Sequence, residues 1–259
     1  MTLKIPQTLA LDFDGVLCDG LVEYFQSTWR TYCQIWSPAT TRADDLASVF
    51  YRLRPVIETG WEMPVLLRAI VAGFSEVAIL EDWRTICAHI VAEENLNPQD
   101  LGAKVDAVRD QWIAADLTGW LKIHRFYAGV AAQLQQWVNS PLAVFIVTTK
   151  EGRFVQQLLK QEGIHLPTER IFGKERHQPK AETLRSLTAT PIWFVEDRLP
   201  ALKTVATDAG LDEVRLFLAD WGYNTPADQA MAREDGRIQL LSLSQFTQDF
   251  SNWPGSELR

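Results

Sequence analysis

The chain has 259 residues, of which 47% are hydrophobic, so it is long enough to bury one large core or two moderate ones. Its formal net charge of −8 at pH 7 argues against a nucleic acid or an anionic membrane as the main partner. A small phosphorylated molecule is compatible with this charge, because a metal ion and one or two lysines can reverse the potential locally.

Cysteine usage and the N-terminal residues indicate the compartment. Cys18, Cys33 and Cys87 are odd in number and lack the spacing of a zinc site or a disulfide framework, so we expect reduced thiols. Residues 1–7 lack the basic and long apolar regions of a secretory signal, and no run of about 18 apolar residues occurs anywhere. We therefore expect a soluble, cytoplasmic protein with no membrane partner.

The first feature along the chain is an apolar run that ends in two carboxylates. Residues 9–11 are compatible with a buried strand, Asp12 and Asp14 follow, and Gly15 stands where the chain must turn. In an open parallel α/β sheet, ligands bind beyond the carboxyl ends of the strands. Two neighbouring carboxylates repel each other, and a hard cation such as Mg²⁺ would satisfy them. The alternative is a strand followed by a solvated Asp-Gly turn.

Residues 18–120 have the pattern of a helical insert. Apolar and aromatic residues recur at three- and four-residue steps from Leu21 to Trp36, and Ser37-Pro38 ends this helix. No convincing alternating pattern of a strand interrupts the segment. Further helices are predicted at about 44–53, 64–71, 81–94 and 99–115.

From Tyr127 onward, predicted strands and helices alternate. This alternation is typical of right-handed βαβ crossovers and a parallel sheet. Gly163 is predicted to cap one helix in the left-handed conformation, and Gly210 to close another. Residues 251–259 are predicted to be a loose tail. The predicted strands are 142–147, 171–172, 191–195, 214–218 and 238–243, and the predicted helices are 130–139, 153–162, 180–187 and 200–209.

Polar residues follow the predicted strands at several places. Thr148 follows the strand at 142–147, Glu196 and Asp197 follow a later strand, and Lys180 begins a helix. With the two aspartates of the first strand, this makes four such positions, which chance would seldom arrange. These are the places where ligands bind in a parallel sheet.

The motifs resemble those of the haloacid dehalogenase (HAD) superfamily of phosphatases, most closely its phosphoglycolate phosphatase and β-phosphoglucomutase branch. The resemblance implies an α/β fold: a Rossmann-like parallel-sheet core of residues 1–17 and 121–259, with residues 18–120 inserted as an α-helical cap domain. The matching segments are Asp12-Phe13-Asp14-Gly15, Val147-Thr148-Thr149-Lys150, Lys180 and Phe194-Val195-Glu196-Asp197-Arg198, with Tyr127-Ala128-Gly129-Val130 at the return to the core.

The resemblance implies roles for the acidic residues. Asp12 would be the nucleophile that forms an aspartyl-phosphate, and Asp14 the general acid and base. Mg²⁺ would be bound by Asp12, the backbone carbonyl of Asp14, and Asp197. Glu196 would bind the ion directly or through a water molecule.

The resemblance also implies a phosphate-binding set. Thr148 would donate its hydroxyl to the phosphoryl group, and Lys180 would stabilise the developing negative charge. Thr149 belongs to the rim of the predicted pocket, where many relatives have asparagine. Two alternatives stay open: Thr148 is an ordinary strand-terminal threonine, or Lys174 takes the place of Lys180. The second arises because Pro179 precedes the lysine, whereas the family usually places proline after it.

Substrate specificity is expected in the cap, because its closure would exclude water and complete the pocket. The candidate substrate-binding residues are Arg52 and Arg54, which cluster with Glu58, Trp61 and Glu62 around a break between helices. The alternative is that these residues are surface charges beside a packed loop.

The predicted function is Mg²⁺-dependent hydrolysis of a small phosphorylated metabolite. A phosphoglucomutase-like phosphotransferase is one alternative, because the same core motifs would serve it. A non-catalytic relative that binds a phosphometabolite or a protein is another. A dehalogenase is disfavoured since its chemistry does not need Asp14, and a phosphonate hydrolase because residues 18–120 offer only Lys104 for a Schiff base. The sequence leaves the oligomeric state open.

Overall fold

The chain forms two compact units in the computed structural model, which describes residues 5–38 and 43–255. One unit consists of Met1–Asp19 with Arg125–Arg259, and the other consists of Gly20–His124. The first unit is α/β and the second is helical. Within the described ranges, no helix combines the length and the apolar character that crossing a membrane requires.

The α/β unit contains two sheets. Its strands, in chain order, are β1 (Thr8–Leu11), β2 (Cys18–Asp19), β3 (Arg125–Phe126), β4 (Ala143–Val147), β5 (Ile171–Phe172), β6 (Ile192–Glu196), β7 (Arg215–Ala219) and β8 (Ile238–Leu241). Six of them form a parallel sheet in the order β5-β4-β1-β6-β7-β8. β2 and β3 form a separate antiparallel pair. The predicted α/β class with a parallel sheet is therefore confirmed.

β1 lies in the middle of the parallel sheet, between β4 and β6. Leu11 is level with Ile146 in β4 and with Val195 in β6, so the three strands end at nearly the same height. Residues 9–11 are fully buried. A strand that is covered on both faces needs such an unbroken apolar run, and the alternating pattern of a half-exposed strand would not suit it.

The helices are numbered through the whole chain. Those of the helical unit are α1 (Leu21–Trp36), α2 (Ala43–Leu53), α3 (Glu62–Val71), α4 (Glu76–Glu93) and α5 (Pro98–Lys122). Those of the α/β unit are α6 (Val130–Val138), α7 (Gly152–Gln161), α8 (Lys180–Ser186), α9 (Leu199–Ala206), α10 (Pro226–Glu234) and α11 (Leu243–Phe246).

α4 begins five residues earlier than predicted, at Glu76. The side chain of Ser75 caps this start by accepting a hydrogen bond from the backbone N–H of Ala78. The predicted start at residue 81 coincides with a kink, because Asp82 has a non-helical φ of −146° and accepts from the backbone N–H of Thr85. The sequence pattern therefore marked an internal cap rather than the beginning of the helix.

Two further helix ends differ from the prediction. α5 continues past the predicted end at residue 115. Asp116 interrupts the helix with a φ of −153°, but its side chain accepts a hydrogen bond from the N–H of Gly119 and so caps the turns that follow. α9 ends at Ala206, so Gly210 does not close it and lies instead in the 3₁₀ turn Ala209–Leu211.

α10 was not predicted, although its start carries a local signal. Thr225 and Asp228 form a capping box, in which each side chain accepts a hydrogen bond from the other residue's backbone N–H.

The predicted left-handed residue after α7 is confirmed, since Gly163 has a φ of +71°.

The C-terminal segment is packed at Trp253, where the prediction of a loose tail was wrong. This side chain is 2% exposed, and its ring centroid lies 5.5 Å from those of Phe246 and Trp193. Burial of large rings against the sheet fixes this part of the chain. Residues 256–259, which belong to the same predicted tail, lie outside the described residues. The aromatic cluster comprises Trp137, Trp193, Phe217, Trp221, Phe246, Phe250 and Trp253.

The arginine–glutamate pairs of the helical unit include a buried one and an exposed one. Glu23 in α1 is fully buried and accepts from Arg109 Nε at 2.7 Å, and from the hydroxyl of Ser27 at 2.6 Å. Arg52 and Glu76 form a pair on the surface, with an N···O distance of 2.6 Å and side chains 56% and 38% exposed. The two pairs therefore differ mainly in solvent screening.

We expect Arg109→Met to lower the free energy of unfolding by about 3–5 kcal/mol, because it removes the guanidinium that pairs with the buried Glu23 carboxylate. Urea unfolding would measure this change, with Arg52→Met as the matched control on the exposed pair, for which a much smaller loss is expected. A Glu23→Gln and Arg109→Met double variant should recover part of the loss. Equal losses in the two single variants would contradict the account.

Candidate active site

Three adjacent strands of the α/β unit end in polar residues. Asp12 follows β1, Thr148 follows β4, and Glu196 is the last residue of β6 with Asp197 directly after it. All four are buried. Because the strands are parallel and in register, their carboxyl ends lie at the same edge of the sheet. The sequence-predicted residues of the α/β unit thus gather at the edge where ligands bind in this class of fold.

Three carboxylates meet at this edge. Asp12, Glu196 and Asp197 each offer an oxygen, and these oxygens lie within 4.8 Å of one another. Lys180, at the start of α8, places its Nζ 3.1 Å from Asp12 Oδ1 and 2.5 Å from Glu196 Oε2. One ammonium group thus stands against three carboxylates, and the buried cluster has an excess of negative charge when all are ionised.

Burial and the charges of the cluster shift the pKa values of its members. Burial raises the pKa of Asp12 to about 7, with Lys180 acting against the rise and Glu196 adding to it. Burial raises the pKa of Asp197 as well, together with the charges of Glu196 and Asp12. For Lys180, burial acts to lower the pKa, but the charges of Asp12 and Glu196 outweigh burial and raise it. The cluster therefore favours any ligand that adds positive charge.

The carboxylates fit a hard divalent cation. Asp12 Oδ1 is buried and makes no hydrogen bond, although it lies in ion-pair contact with Lys180. Each ionised carboxylate has about four acceptor positions, so Asp12 and Asp197 have capacity for an ion beyond their present contacts. Both oxygens of Glu196 already accept hydrogen bonds, Oε1 from two backbone N–H groups and Oε2 from Lys180. An all-oxygen donor set of this kind suits Mg²⁺.

The loop after β7 holds Asp197 in place, and this loop was not predicted to be part of the site. The backbone N–H of Tyr223 donates to Asp197 Oδ2 at 2.7 Å, and Asn224 Nδ2 donates to the carbonyl of Asp197 at 3.0 Å. Asn224 Nδ2 also donates to the carbonyl of Ala219, which fixes the loop itself. The only available signal was a Trp-Gly-Tyr-Asn run that follows an apolar strand.

Two glycines approach Asp197 so closely that a larger residue would not fit. Gly15 has a φ of +87°, and a Cβ built on it would overlap the carboxylate of Asp197. A Cβ on Gly222 would overlap Asp197 and the carbonyl oxygen of Gly15. Both positions therefore require glycine to accommodate the side chain of Asp197.

Asp14 lies beside Lys150, a residue of the second motif to which the sequence analysis assigned no role. Lys150 Nζ is 3.2 Å from Asp14 Oδ1 and 3.3 Å from Oδ2. The backbone N–H of Lys150 donates to Thr148 Oγ1 at 3.2 Å. A hydroxyl oxygen can accept and donate at once, so this hydrogen bond does not use the proton of the Thr148 hydroxyl. Thr149 is exposed.

The position of the lysines bears on the alternative left open by the sequence. Lys180 Nζ contacts Asp12 directly. Lys174 is exposed, and its backbone N–H donates to the carbonyl of Lys150. The ammonium group beside the predicted nucleophile is that of Lys180.

The predicted substrate-binding arginines belong to the helical unit and have partners there. Arg52 makes two hydrogen bonds to Glu76, from Nε at 2.8 Å and from Nη2 at 2.6 Å. Arg54 lies 4.8 Å above the ring of Tyr24 and donates to the carbonyl of Ile57 at 3.1 Å.

Comparison with solved structures identifies the fold. No protein-family model matches the sequence, and no curated protein matches it significantly. A provisionally named phosphoglycolate phosphatase from Lactobacillus delbrueckii subsp. bulgaricus matches with a TM-score of 0.59 and 13% identity, over 94% of this chain and 96% of that one. A predicted phosphatase from Clostridium acetobutylicum matches with a TM-score of 0.59 and 12% identity, over 95% and 97%.

A haloacid dehalogenase-like family hydrolase from Streptococcus pneumoniae matches with a TM-score of 0.53 and 14% identity, over 90% of this chain and 92% of that one. At such identities the likeness establishes the fold and leaves the activity to be argued from the site. The chain has the fold of the haloacid dehalogenase-like hydrolases.

Proposed function

We propose that the protein is a Mg²⁺-dependent phosphatase that hydrolyses a small phosphorylated metabolite through an aspartyl-phosphate on Asp12. The observation that carries the proposal is the meeting of Asp12, Glu196 and Asp197 with oxygens within 4.8 Å of one another, beside the ammonium group of Lys180. The phosphatase names of the structural neighbours support the same reading.

The metal would be held by Asp12, Asp197 and the backbone carbonyl of Asp14, with Glu196 bound directly or through water. Its contribution would be to neutralise phosphoryl oxygens so that an anionic nucleophile can approach. Lys180 would add a fixed positive charge, and Thr148 a hydroxyl donor, at the same phosphoryl group. Thr148 is buried and the side chain of Lys180 is 18% exposed, so both groups would act with little screening by solvent.

In the first step, a carboxylate oxygen of Asp12 attacks phosphorus, and the bond from phosphorus to the leaving oxygen breaks. Asp14, in its protonated form, gives its proton to that oxygen, so the product leaves as an alcohol. The result is a phosphoryl group covalently bound to Asp12.

In the second step, the Asp14 carboxylate takes a proton from a water molecule whose oxygen attacks phosphorus. The bond between the Asp12 oxygen and phosphorus breaks, which releases inorganic phosphate. Asp12 returns as a carboxylate and Asp14 as a carboxylic acid, so both groups are ready for another cycle.

We further propose that residues 18–120 act as a cap domain that selects the substrate, and that Arg52 and Arg54 bind it. Substrate contact by Arg52 would require release of Glu76, to which it makes two hydrogen bonds. For Arg54, the contact would compete with the ring of Tyr24. Thr149, which is exposed, would contribute at the rim of the phosphate site.

We expect Asp12→Asn to lower phosphate release by about a thousandfold or more, because an amide cannot act as the attacking carboxylate. The assay measures inorganic phosphate from an aryl phosphate and from a metabolite panel that includes phosphoglycolate, with Mg²⁺ and with EDTA. Asp212→Asn, the same change at a position that is 64% exposed, is the control and should retain activity. Phosphate release that is insensitive to both EDTA and Asp12→Asn would overturn the proposal.

Mg²⁺ should raise the melting temperature of the wild type. Binding to the folded state alone, at about 100 times the dissociation constant, adds about 2.7 kcal/mol of stability. The test should be done at pH 8, because Asp12, with a pKa of about 7, is then mostly ionised and able to bind the ion. The folded-state pKa of Asp12, about 7, exceeds its ordinary value of 3.8, so metal-free stability falls as the pH rises through this interval.

Asp197→Asn should stabilise the metal-free protein and weaken its response to Mg²⁺. It removes one of three buried carboxylates while keeping an oxygen for the N–H of Tyr223, so the variant should melt above the wild type in EDTA. It should also lose most of the Mg²⁺-dependent shift. Thermal unfolding followed by circular dichroism would measure both effects. An unchanged Mg²⁺ shift in this variant would remove Asp197 from the metal site.

Gly222→Ala should weaken Mg²⁺ binding by about tenfold, because the new methyl group displaces Asp197 without changing any charge. Calorimetric titration with Mg²⁺ would measure the affinity. The matched control is Gly236→Ala, since a Cβ at Gly236 meets no atom within 4 Å. If both variants bind Mg²⁺ like the wild type, the close packing at Gly222 does not matter for the site.

A further inference from the structure

Asp14 and Lys150 form an ion pair that is largely removed from solvent. Their side chains are 14% and 8% exposed, and Lys150 Nζ lies 3.2 and 3.3 Å from the two carboxylate oxygens. An ammonium group at equal distance from both oxygens restricts rotation of the carboxylate about its last side-chain bond. Because the pair is shielded, its attraction is screened less than that of a surface pair.

The backbone at Lys150 is itself held on both sides. Its N–H donates to Thr148 Oγ1 at 3.2 Å, and its carbonyl accepts from the N–H of Lys174 at 3.0 Å. Lys150 therefore extends from a fixed point just after β4, and its ammonium group can act as an anchor for a neighbouring side chain.

Lys150 and Lys180 contact different carboxylates. Lys180 Nζ lies against Asp12 and Glu196, whereas Lys150 Nζ lies against Asp14. Lys180 is thus associated with the attacking group of the proposed mechanism. Lys150 is associated with the group that transfers the proton.

We propose that Lys150 is a positioning residue that orients Asp14 for proton transfer to the leaving oxygen. This inference rests on the phosphatase function proposed above. During the first step, the proton of the Asp14 carboxyl must reach the leaving oxygen as the bond from that oxygen to phosphorus breaks. A carboxyl that rotates freely presents its proton in the right direction for only part of the time.

The role of Lys150 has a consequence that depends on the leaving group. An alkyl alcohol is a poor leaving group and needs the proton, whereas acetate leaves from acetyl phosphate as a stable anion without one. Loss of Lys150 should therefore slow transfer from an alkyl phosphate and spare transfer from acetyl phosphate. The ratio kcat/KM reports on substrate binding and on transfer to Asp12 with loss of the leaving group, and the later reaction with water does not enter it.

The experiment compares kcat/KM of Lys150→Met and Lys150→Gln with that of the wild type, in Mg²⁺. The substrates are acetyl phosphate and the best alkyl phosphate of the metabolite panel. We expect a loss of about 30-fold for the alkyl phosphate, a part of the roughly 10²–10⁴-fold that general acid catalysis contributes, and less than about threefold for acetyl phosphate. Lys150→Arg should recover part of the lost activity. Lys160→Met, at an exposed position on α7, is the control and should behave like the wild type.

A double-variant cycle with Asp14→Asn provides the second measurement. Without a proton donor at residue 14, Lys150→Met should cause no further loss that depends on the leaving group. The Mg²⁺-induced shift in melting temperature, retained in each variant, would show that the fold and the metal site are intact.

Three results would overturn the inference. Equal losses for both substrates would mean that Lys150 acts on the phosphoryl group or on the fold, and no loss for either would mean that it is not needed. A further leaving-group-dependent loss in the Asp14→Asn background would mean that it acts independently of Asp14. If the wild type hydrolyses neither substrate, the proposed function fails and the inference falls with it, an outcome that the wild-type assay alone identifies.

Discussion

Repulsion among three buried carboxylates is the constraint on which the site depends. Asp12, Glu196 and Asp197 lie together at the ends of β1 and β6, where burial leaves little solvent to screen them. Lys180 compensates part of this charge. Burying unpaired charge costs several kcal/mol per group, so such a cluster persists only where its ionised form has a use or a ligand. The raised pKa of Asp12 expresses the same cost.

The fold supplies the geometry that this cluster needs. The central position of β1 brings its last residues against the ends of two neighbours at once, which an edge strand could not do. The loop after β7 then fixes Asp197 from the far side through the N–H of Tyr223 and the amide of Asn224. The carboxylate and the backbone of Asp197 are thus held by a backbone N–H and by a neutral side chain, which add no further charge to the cluster.

The sequence could predict the parallel sheet and the polar strand ends because both depend on local pattern. Buried strands have apolar runs, and the polar residue after each run marks its carboxyl end.

The sequence could not place Lys150, Tyr223 and Asn224 in the site. Their importance comes from contacts with residues that are 136, 26 and 27 positions away in the chain. The helix limits were wrong for a different, local reason. The side chains of Asp82 and Asp116 cap the turn that follows a kink, and hydrophobic periodicity alone treats such a kink as the start or the end of a helix. Trp253 was assigned to a loose tail because its partners Trp193 and Phe217 lie in distant strands, and the nearby Phe246 and Phe250 do not by themselves indicate burial.

The two site lysines divide the positive charge in a way that suits the proposed chemistry. Asp12 has to stay ionised in order to attack, while Asp14 has to alternate between acid and base in each cycle. If one ammonium group contacted both carboxylates, every change of protonation at Asp14 would change the strongest interaction of the nucleophile as well. Lys180 and Lys150 arise from separate elements, the start of α8 and the loop after β4. Because Lys150 contacts Asp14 whereas Lys180 contacts Asp12 and Glu196, Asp14 can gain or lose a proton while the ion pair at Asp12 stays in place.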